Sequence, residues 1–146
     1  MIAADDPNDV LVVRRLLPVP RERVFAAWVD SASLAQWMRP GQTIDTIVEI
    51  EPRVGGKFRI LMRQATEDVE HWGEYLVIEP PSLLSFTWIS VHTDLQPSVV
   101  TIELFERGTG TELVLTHRRL APKAVEGHRQ GWTDIVRILE ETLTRG

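Results

Sequence analysis

Cysteine is absent from the chain, which excludes disulfide bonds, thiolate metal sites and cysteine nucleophiles. No apolar run approaches the roughly 18 residues that a membrane-spanning helix needs, so we expect no insertion into a membrane. The first twenty residues begin with an acidic stretch and contain three prolines and two arginines, which is not the pattern of a signal peptide. Together these absences favour a cytoplasmic protein.

Basic residues are few and scattered along the chain. The 146 residues include 16 Lys and Arg against 21 Asp and Glu, which gives a formal net charge of -5. Nucleic-acid binding depends on a concentrated basic surface that neutralises phosphates, so we expect no nucleic-acid partner. The hydrophobic share of 43% and the length are typical of one globular domain. We predict a flexible tail over residues 1–9 and a single domain over residues 10–146.

Hydrophobic periodicity predicts two short helices near the N-terminus. A first strand starts near Val10 and ends before the prolines at 18 and 20, because proline cannot donate to a strand ladder. Val24, Phe25 and Trp28 then recur at helical spacing. A second short helix, capped by Asp30 or Ser31, carries Leu34, Trp37 and Met38 on one face and ends at Pro40.

Six further strands and a long helix complete the predicted pattern. Period-two alternation predicts strands over about 44–51, 57–63, 70–79, 83–90, 98–107 and 110–118, joined by short turns. After Pro122 the period changes to 3.6, and Trp132, Ile135 and Leu139 fall on one face of a long helix. We therefore predict an α+β fold in which a curved, seven-stranded antiparallel sheet wraps around the C-terminal helix.

Motifs for phosphate, metal or nucleophile chemistry are missing. The glycine pair 55–56 and Lys57 lead into a strand, so they form a turn and not a phosphate-binding loop. The serine-hydrolase pattern GxSxG does not occur. The four histidines lack the spacing of metal ligands, so we expect no metal and no cofactor.

Several segments resemble a known superfamily. They are VPRERVFAAWVDSASLAQWMRP, EPRVGGKFRI, GEYLVIEPPSLLSFTW, GTELVLTHRRL and GWTDIVRILEETL. In this order, over about residues 10–144, the chain resembles the START-like, or SRPBCC, superfamily, which has the helix-grip fold of the birch pollen allergen. It is most similar there to homologues of the activator of the heat-shock-protein-90 ATPase. The chain departs from that pattern at Met38 and Arg39, where relatives usually have tryptophan and glycine near the mouth of the pocket.

The resemblance implies a cavity between the sheet and the C-terminal helix. Members of the superfamily bind lipids, polyketides, hormones or aromatic metabolites, and some are cyclases or co-chaperones. Alternation places Tyr75 and Val77 on the inner face of the sheet, and it places the imidazole of His117 there too. The predicted ligand-binding residues are Trp28, Trp37, Phe58, Ile60, Met62, Tyr75, Phe86, Trp88, Leu104, Leu115, His117, Trp132, Ile135 and Leu139. The same positions would also suit a solid core, and patterning alone leaves both interpretations open.

Three functions fit these observations. The first is binding of a small hydrophobic molecule, such as a lipid, a polyketide or an aromatic compound. The second is a cyclase or hydrolase that uses His117 or Tyr75 as acid or base, although the sequence has no recognisable catalytic motif and the catalytic residues stay unknown. The third is a protein-interaction role, as a homodimer or with a chaperone. We rank the chaperone lower, because the known activators carry a separate N-terminal domain.

Overall fold

The computed structural model describes residues 10–145, so the predicted flexible tail over residues 1–9 lies outside the described residues. The elements follow in the order that the sequence predicts. They are β1 (Leu11–Leu17), α1 (Arg21–Trp28), α2 (Ser31–Trp37), β2 (Asp45–Ile50), β3 (Lys57–Arg63), β4 (Asp68–Glu79), β5 (Leu83–Trp88), β6 (Ser98–Arg107), β7 (Gly110–Arg118) and α3 (Val125–Thr144). Single 3₁₀ turns at Val91–Thr93 and Pro122–Ala124 precede β6 and α3.

All seven strands form one antiparallel sheet in the order β1-β7-β6-β5-β4-β3-β2. From β2 to β7 each strand pairs with its neighbour in sequence, whereas β1 pairs with β7, with Leu11 opposite His117 and Leu17 opposite Thr111. The β2–β3 turn needs both of its glycines. Gly55 has a φ of 84°, and a Cβ on Gly56 would lie 2.0 Å from the carbonyl oxygen of Glu51. The predicted seven-stranded α+β fold is confirmed.

The two short helices pack against each other through tryptophan rings. Asp30 caps α2, because its carboxylate accepts a hydrogen bond of 2.9 Å from the backbone N–H of Ser33. Trp37 is fully buried, and its ring meets that of Trp28 edge to face with the centroids 4.6 Å apart. Such edge-to-face pairs add to the stabilisation from burial. Trp37 therefore anchors α2 in the core.

The long helix α3 covers the inner face of the sheet with one apolar stripe. Trp132, Ile135 and Leu139 are buried along this stripe, while Arg137 and Glu141 form an ion pair on the opposite side. A further ion pair of 2.7 Å joins Arg15 of β1 to Glu140 of α3. In residues 10–145 no helix combines the length and the apolar character that crossing a membrane requires.

A β-bulge changes which side chains of β4 face inward. The register shifts between Tyr75 and Val77, so that Tyr75 opposes Phe86 and Ile78 opposes the buried Leu84. Ile78 packs against the core in consequence. The sequence-based placement of Val77 on the inner face is therefore wrong, because strict alternation cannot include the extra residue of a bulge.

Candidate functional site

A cavity of about 510 Å³ lies at the N-terminal half of α3, where that helix faces β3, β4 and the turn after β5. This volume is within the range of small-molecule sites in proteins. The lining residues are Pro40, Met62, Gln64, Val69, His71, Trp88, Val91, His92, Asp94, Lys123, Ala124, Gly127, His128, Gly131, Trp132 and Ile135. Four of the predicted ligand-binding residues are among them: Met62, Trp88, Trp132 and Ile135.

The space deeper in the sheet is filled by aromatic rings. Phe58 lies 5.5 Å from the ring centroids of both Tyr75 and Phe86, and 6.1 Å from that of Trp88. The remaining void measures about 10 Å³ and is lined by Trp28, Leu34, Met38, Phe58, Ile60, Tyr75, Phe86 and Trp88. A void of this size has room for about one water molecule. Most of the predicted aromatic face is therefore core, and the open volume lies to one side of it.

The other predicted positions line neither space. Each of the five residues Trp37, Leu104, Leu115, His117 and Leu139 is at most 2% exposed and belongs to the core.

Tyr75, which lines the small void, is buried, and burial raises the pKa of its hydroxyl to about 12. The phenol therefore stays protonated at neutral pH.

His117 holds two walls of the cavity through a chain of hydrogen bonds. Ser98 donates its hydroxyl proton to the carbonyl of Trp88 at 2.6 Å, so its oxygen must accept from Nε2–H of His117 at 2.7 Å. Nδ1 of His117 in turn accepts from the indole N–H of Trp132 at 2.9 Å. This sequence of donors fixes the tautomer of His117 and links Trp88 to Trp132.

The same contacts leave His117 without a free nitrogen for a ligand. Both ring nitrogens are engaged, and the residue is completely buried. Burial, with a smaller contribution from His128, lowers the pKa of His117 to about 3, so the ring is neutral at physiological pH. His117 therefore has a structural role in the core next to the cavity.

His71 is the most buried polar residue in the lining. It is 6% exposed, and its ring lies against Trp88 with the centroids 4.7 Å apart. Nδ1 has no hydrogen-bond partner in the described part of the chain. Burial lowers the pKa of His71 to about 4, and the nearby His92 and His128 act in the same direction. A neutral imidazole whose Nδ1 has no hydrogen-bond partner therefore lies in the wall of the cavity.

His128 presents a second neutral imidazole to the same cavity. Its Nδ1 lies 2.9 Å from the carbonyl oxygen of Ala124, one helical turn earlier, so Nδ1 carries the proton and Nε2 is an acceptor. The ring also packs edge-on against His117, with the centroids 5.0 Å apart. Burial and the neighbouring His92 lower the pKa of His128.

Two glycines keep the helix side of the cavity open. Gly127 and Gly131 are one turn apart on α3, both line the cavity, and a Cβ on either would meet nothing within 4 Å. A glycine inside a helix costs up to about 1 kcal/mol relative to alanine. The chain therefore carries this cost at Gly131, where a side chain would fit without a clash.

The mouth of the cavity contains its charged residues. Asp94 and Lys123 lie 3.6 Å apart and are well exposed, so the interaction between them is weak. On the opposite side, Asp134 of α3 accepts a 2.7 Å hydrogen bond from the backbone of Gly41, which holds Pro40 at the rim. That bond, followed by Arg137, lowers the pKa of Asp134.

The departure from the family pattern at residues 38 and 39 does not alter the cavity lining. Met38 is buried in the core, and its carbonyl oxygen accepts a 2.7 Å hydrogen bond from the hydroxyl of Thr46. Arg39 is exposed and donates to the carbonyl of Gln36. Neither residue lines the 510 Å³ cavity.

Sequence reasoning missed His71, His128 and the two helical glycines as lining residues. Counting back from Tyr75 in steps of two reaches Gly73 and His71, so alternation could have placed His71 inward. Likewise His128 lies four residues before Trp132, which puts both on one helical face. Across residues 10–145, no three acidic, histidine or cysteine side chains are arranged to hold a metal ion.

An antiparallel seven-stranded sheet that holds a long C-terminal helix defines a helix-grip protein of the START-like class. Within that class, the chain belongs to the family described as "Activator of Hsp90 ATPase homolog 1-like protein", whose model matches residues 18–144. Among curated proteins, none matches this chain significantly.

Solved structures agree with the fold. A protein from Chromobacterium violaceum is 23% identical, with a TM-score of 0.79 and coverage of 94% of this chain and 99% of that chain. An AHSA1 protein from Silicibacter pomeroyi is 26% identical, with a TM-score of 0.76 and coverage of 92% and 96%. An HSP90 activator from Plasmodium falciparum is 25% identical, with a TM-score of 0.72 and coverage of 92% and 95%.

Proposed function

We propose that the protein binds a small, largely apolar molecule in the 510 Å³ cavity between α3 and the sheet. The observation that carries this proposal is the pairing of an open volume with two helical glycines that leave it unfilled. Protein interiors are close-packed. Empty space beside glycines that could carry side chains is a departure from this rule, and such departures are expected at functional sites.

The composition of the wall supports the same function. Trp88 and Trp132 contribute indole rings whose centroids are 5.1 Å apart, and the ring of His71 lies 4.7 Å from that of Trp88. Apolar and aromatic walls with a few polar groups are typical of small-molecule sites. The hydrogen bonds through His117 hold the indole of Trp132 and the backbone of Trp88 in place before a ligand arrives, which reduces the entropic cost of binding.

Occluding the cavity from the helix side tests the proposal. The probe is N-phenyl-1-naphthylamine, an uncharged apolar fluorophore whose emission rises in apolar sites. Gly131→Leu places a branched side chain in the open volume, and we expect it to weaken probe binding by about tenfold or more, which is about 1.4 kcal/mol.

Thr133→Leu is the matched control, because it adds the same side chain to the exposed face of the same helix. It should bind the probe as the unmodified protein does. Equal binding by all three proteins would place the probe elsewhere and contradict the proposal, and so would absence of binding by the unmodified protein.

A second candidate function is co-chaperone activity, supported by the family description and by the likeness to the HSP90 activator from Plasmodium falciparum. In this role the chain would contact an Hsp90 chaperone and raise its ATPase rate. A coupled ATPase assay with purified Hsp90 tests it, and an unchanged rate at saturating protein would rule it out. Gly131→Leu separates the two functions, because a surface-mediated contact would not depend on the cavity.

A further inference from the structure

The charge distribution around the cavity restricts the class of ligand. Of the described residues in the lining, only Asp94 and Lys123 carry formal charge, and they pair with each other at the exposed mouth. A carboxylate or ammonium group inside would lose its hydration without gaining a counter-charge, which is strongly unfavourable. The interior therefore favours an uncharged molecule.

One half-buried imidazole offers a hydrogen-bond acceptor to the interior of the cavity. His128 donates through Nδ1 to Ala124, which leaves Nε2 with an available lone pair and no partner within residues 10–145. His71, 94% buried and also lining the cavity, carries a second nitrogen without a partner. Burial lowers the pKa of both rings, so both are neutral at neutral pH, and Nε2 of His128 can accept a hydrogen bond.

Aromatic rings form part of the cavity wall. The ring of Trp88 contacts the rings of His71 and Trp132, with centroid distances of 4.7 Å and 5.1 Å and tilted planes. Rings of this kind pack well against a planar aromatic ligand in stacked or edge-on contact. On the helix side, the bare backbone at Gly127 and Gly131 admits a flat molecule close to α3.

From these three features we propose that the cavity selects an uncharged aromatic alcohol, a phenol or naphthol in class, whose hydroxyl donates a hydrogen bond to Nε2 of His128. The inference rests on the proposed binding function and specifies its ligand. The aromatic ring packs against Trp88 and Trp132, and the hydroxyl proton points to the helix. A fatty acid or an aromatic carboxylate is disfavoured by the same arrangement.

Three probes with one ring system test the inference: naphthalene, 2-naphthol and 2-naphthoate, each titrated by isothermal calorimetry at neutral pH. A single hydrogen bond to a neutral acceptor should make 2-naphthol bind about five- to tenfold more tightly than naphthalene. The carboxylate of 2-naphthoate should make it the weakest of the three.

Two variants locate the hydrogen bond. His128→Phe keeps a ring in contact with His117 but removes the acceptor, and the ratio of 2-naphthol to naphthalene affinity should fall to about one. Gln130→Phe introduces the same side chain at an exposed position of α3 outside the cavity lining and is the matched control, for which the ratio should persist.

The possible negative results distinguish failure of the ligand inference from failure of the proposed binding function. Binding of naphthalene and 2-naphthol with equal affinity, or tightest binding of 2-naphthoate, would overturn the inference while the apolar cavity function stands. Loss of the preference in Gln130→Phe and not in His128→Phe would also overturn it. Failure of all three probes to bind would overturn the proposed function together with the inference.

Discussion

The indole N–H of Trp132 donates a 2.9 Å hydrogen bond to Nδ1 of His117, which joins α3 to β7 inside the core. From His117 the chain of hydrogen bonds continues through Ser98 to the carbonyl of Trp88. One buried histidine that does not itself line the cavity therefore connects the indole of Trp132 to the backbone of Trp88.

His117→Phe should destabilise the protein by about 1–3 kcal/mol, because it leaves the buried N–H of Trp132 without an acceptor. Urea unfolding followed by tryptophan fluorescence measures this change. His117→Gln offers both an acceptor and a donor and should recover part of the loss. A His117→Phe protein as stable as the unmodified one would show that the hydrogen bonds contribute nothing net.

The strand pattern could be predicted from the sequence because one face of each strand is apolar and the turns carry glycine and proline. The pairing of β1 with β7 joins segments about a hundred residues apart, and no local pattern encodes it. The inward position of Ile78 depends on a bulge, which breaks the alternation on which the prediction relied.

The candidate site was harder to predict than the fold. Apolar alternation identifies Phe58, Tyr75 and Phe86 as inward-facing, but it cannot show that their rings fill the space between them. The open volume depends on what is missing from α3 at Gly127 and Gly131. A glycine has no side chain to contribute to a hydrophobic pattern, so its role became visible only once α3 was placed against the sheet.

Acid should weaken the fold through its buried histidines. The pKa of His71 is lowered from 6.5 to about 4, and that of His117 to about 3, mainly by burial. Below about pH 6.5 the unfolded chain binds protons at these rings while the folded chain does not. The unfolding free energy should therefore fall as the pH drops from about 6.5 toward 4 and 3, by about 1.4 kcal/mol per pH unit for each histidine.

The variant His71→Phe isolates one of these contributions. Urea unfolding between about pH 7 and pH 5 should give a stability slope shallower, on average, by about 0.7 proton than that of the unmodified protein. The difference between the two slopes is the informative quantity, because surface carboxylates contribute equally to both. Identical slopes would show that His71 takes up its proton equally in the folded and unfolded states.

Alanine substitutions at two glycines should have opposite effects on stability. Gly131→Ala should raise the unfolding free energy by up to about 1 kcal/mol, since the position is helical and nothing lies within 4 Å of the new Cβ. Gly73→Ala should lower it, because the Cβ would lie 2.0 Å from the carbonyl oxygen of Thr87 and 2.7 Å from the ring of Phe58. Thermal melting of the two variants checks both signs, and destabilisation by Gly131→Ala would contradict an open cavity at that point.

The most direct test of ligand binding in the cavity is a titration of isotope-labelled protein with N-phenyl-1-naphthylamine, followed through the backbone amide signals of the glycines by nuclear magnetic resonance. Binding in the cavity should shift the signals of Gly127 and Gly131, which line it, and leave those of Gly55 and Gly108, in the β2–β3 and β6–β7 turns, unchanged. Shifts confined to the turns or to the outer face of the sheet, with Gly127 and Gly131 unmoved, would contradict binding in the cavity.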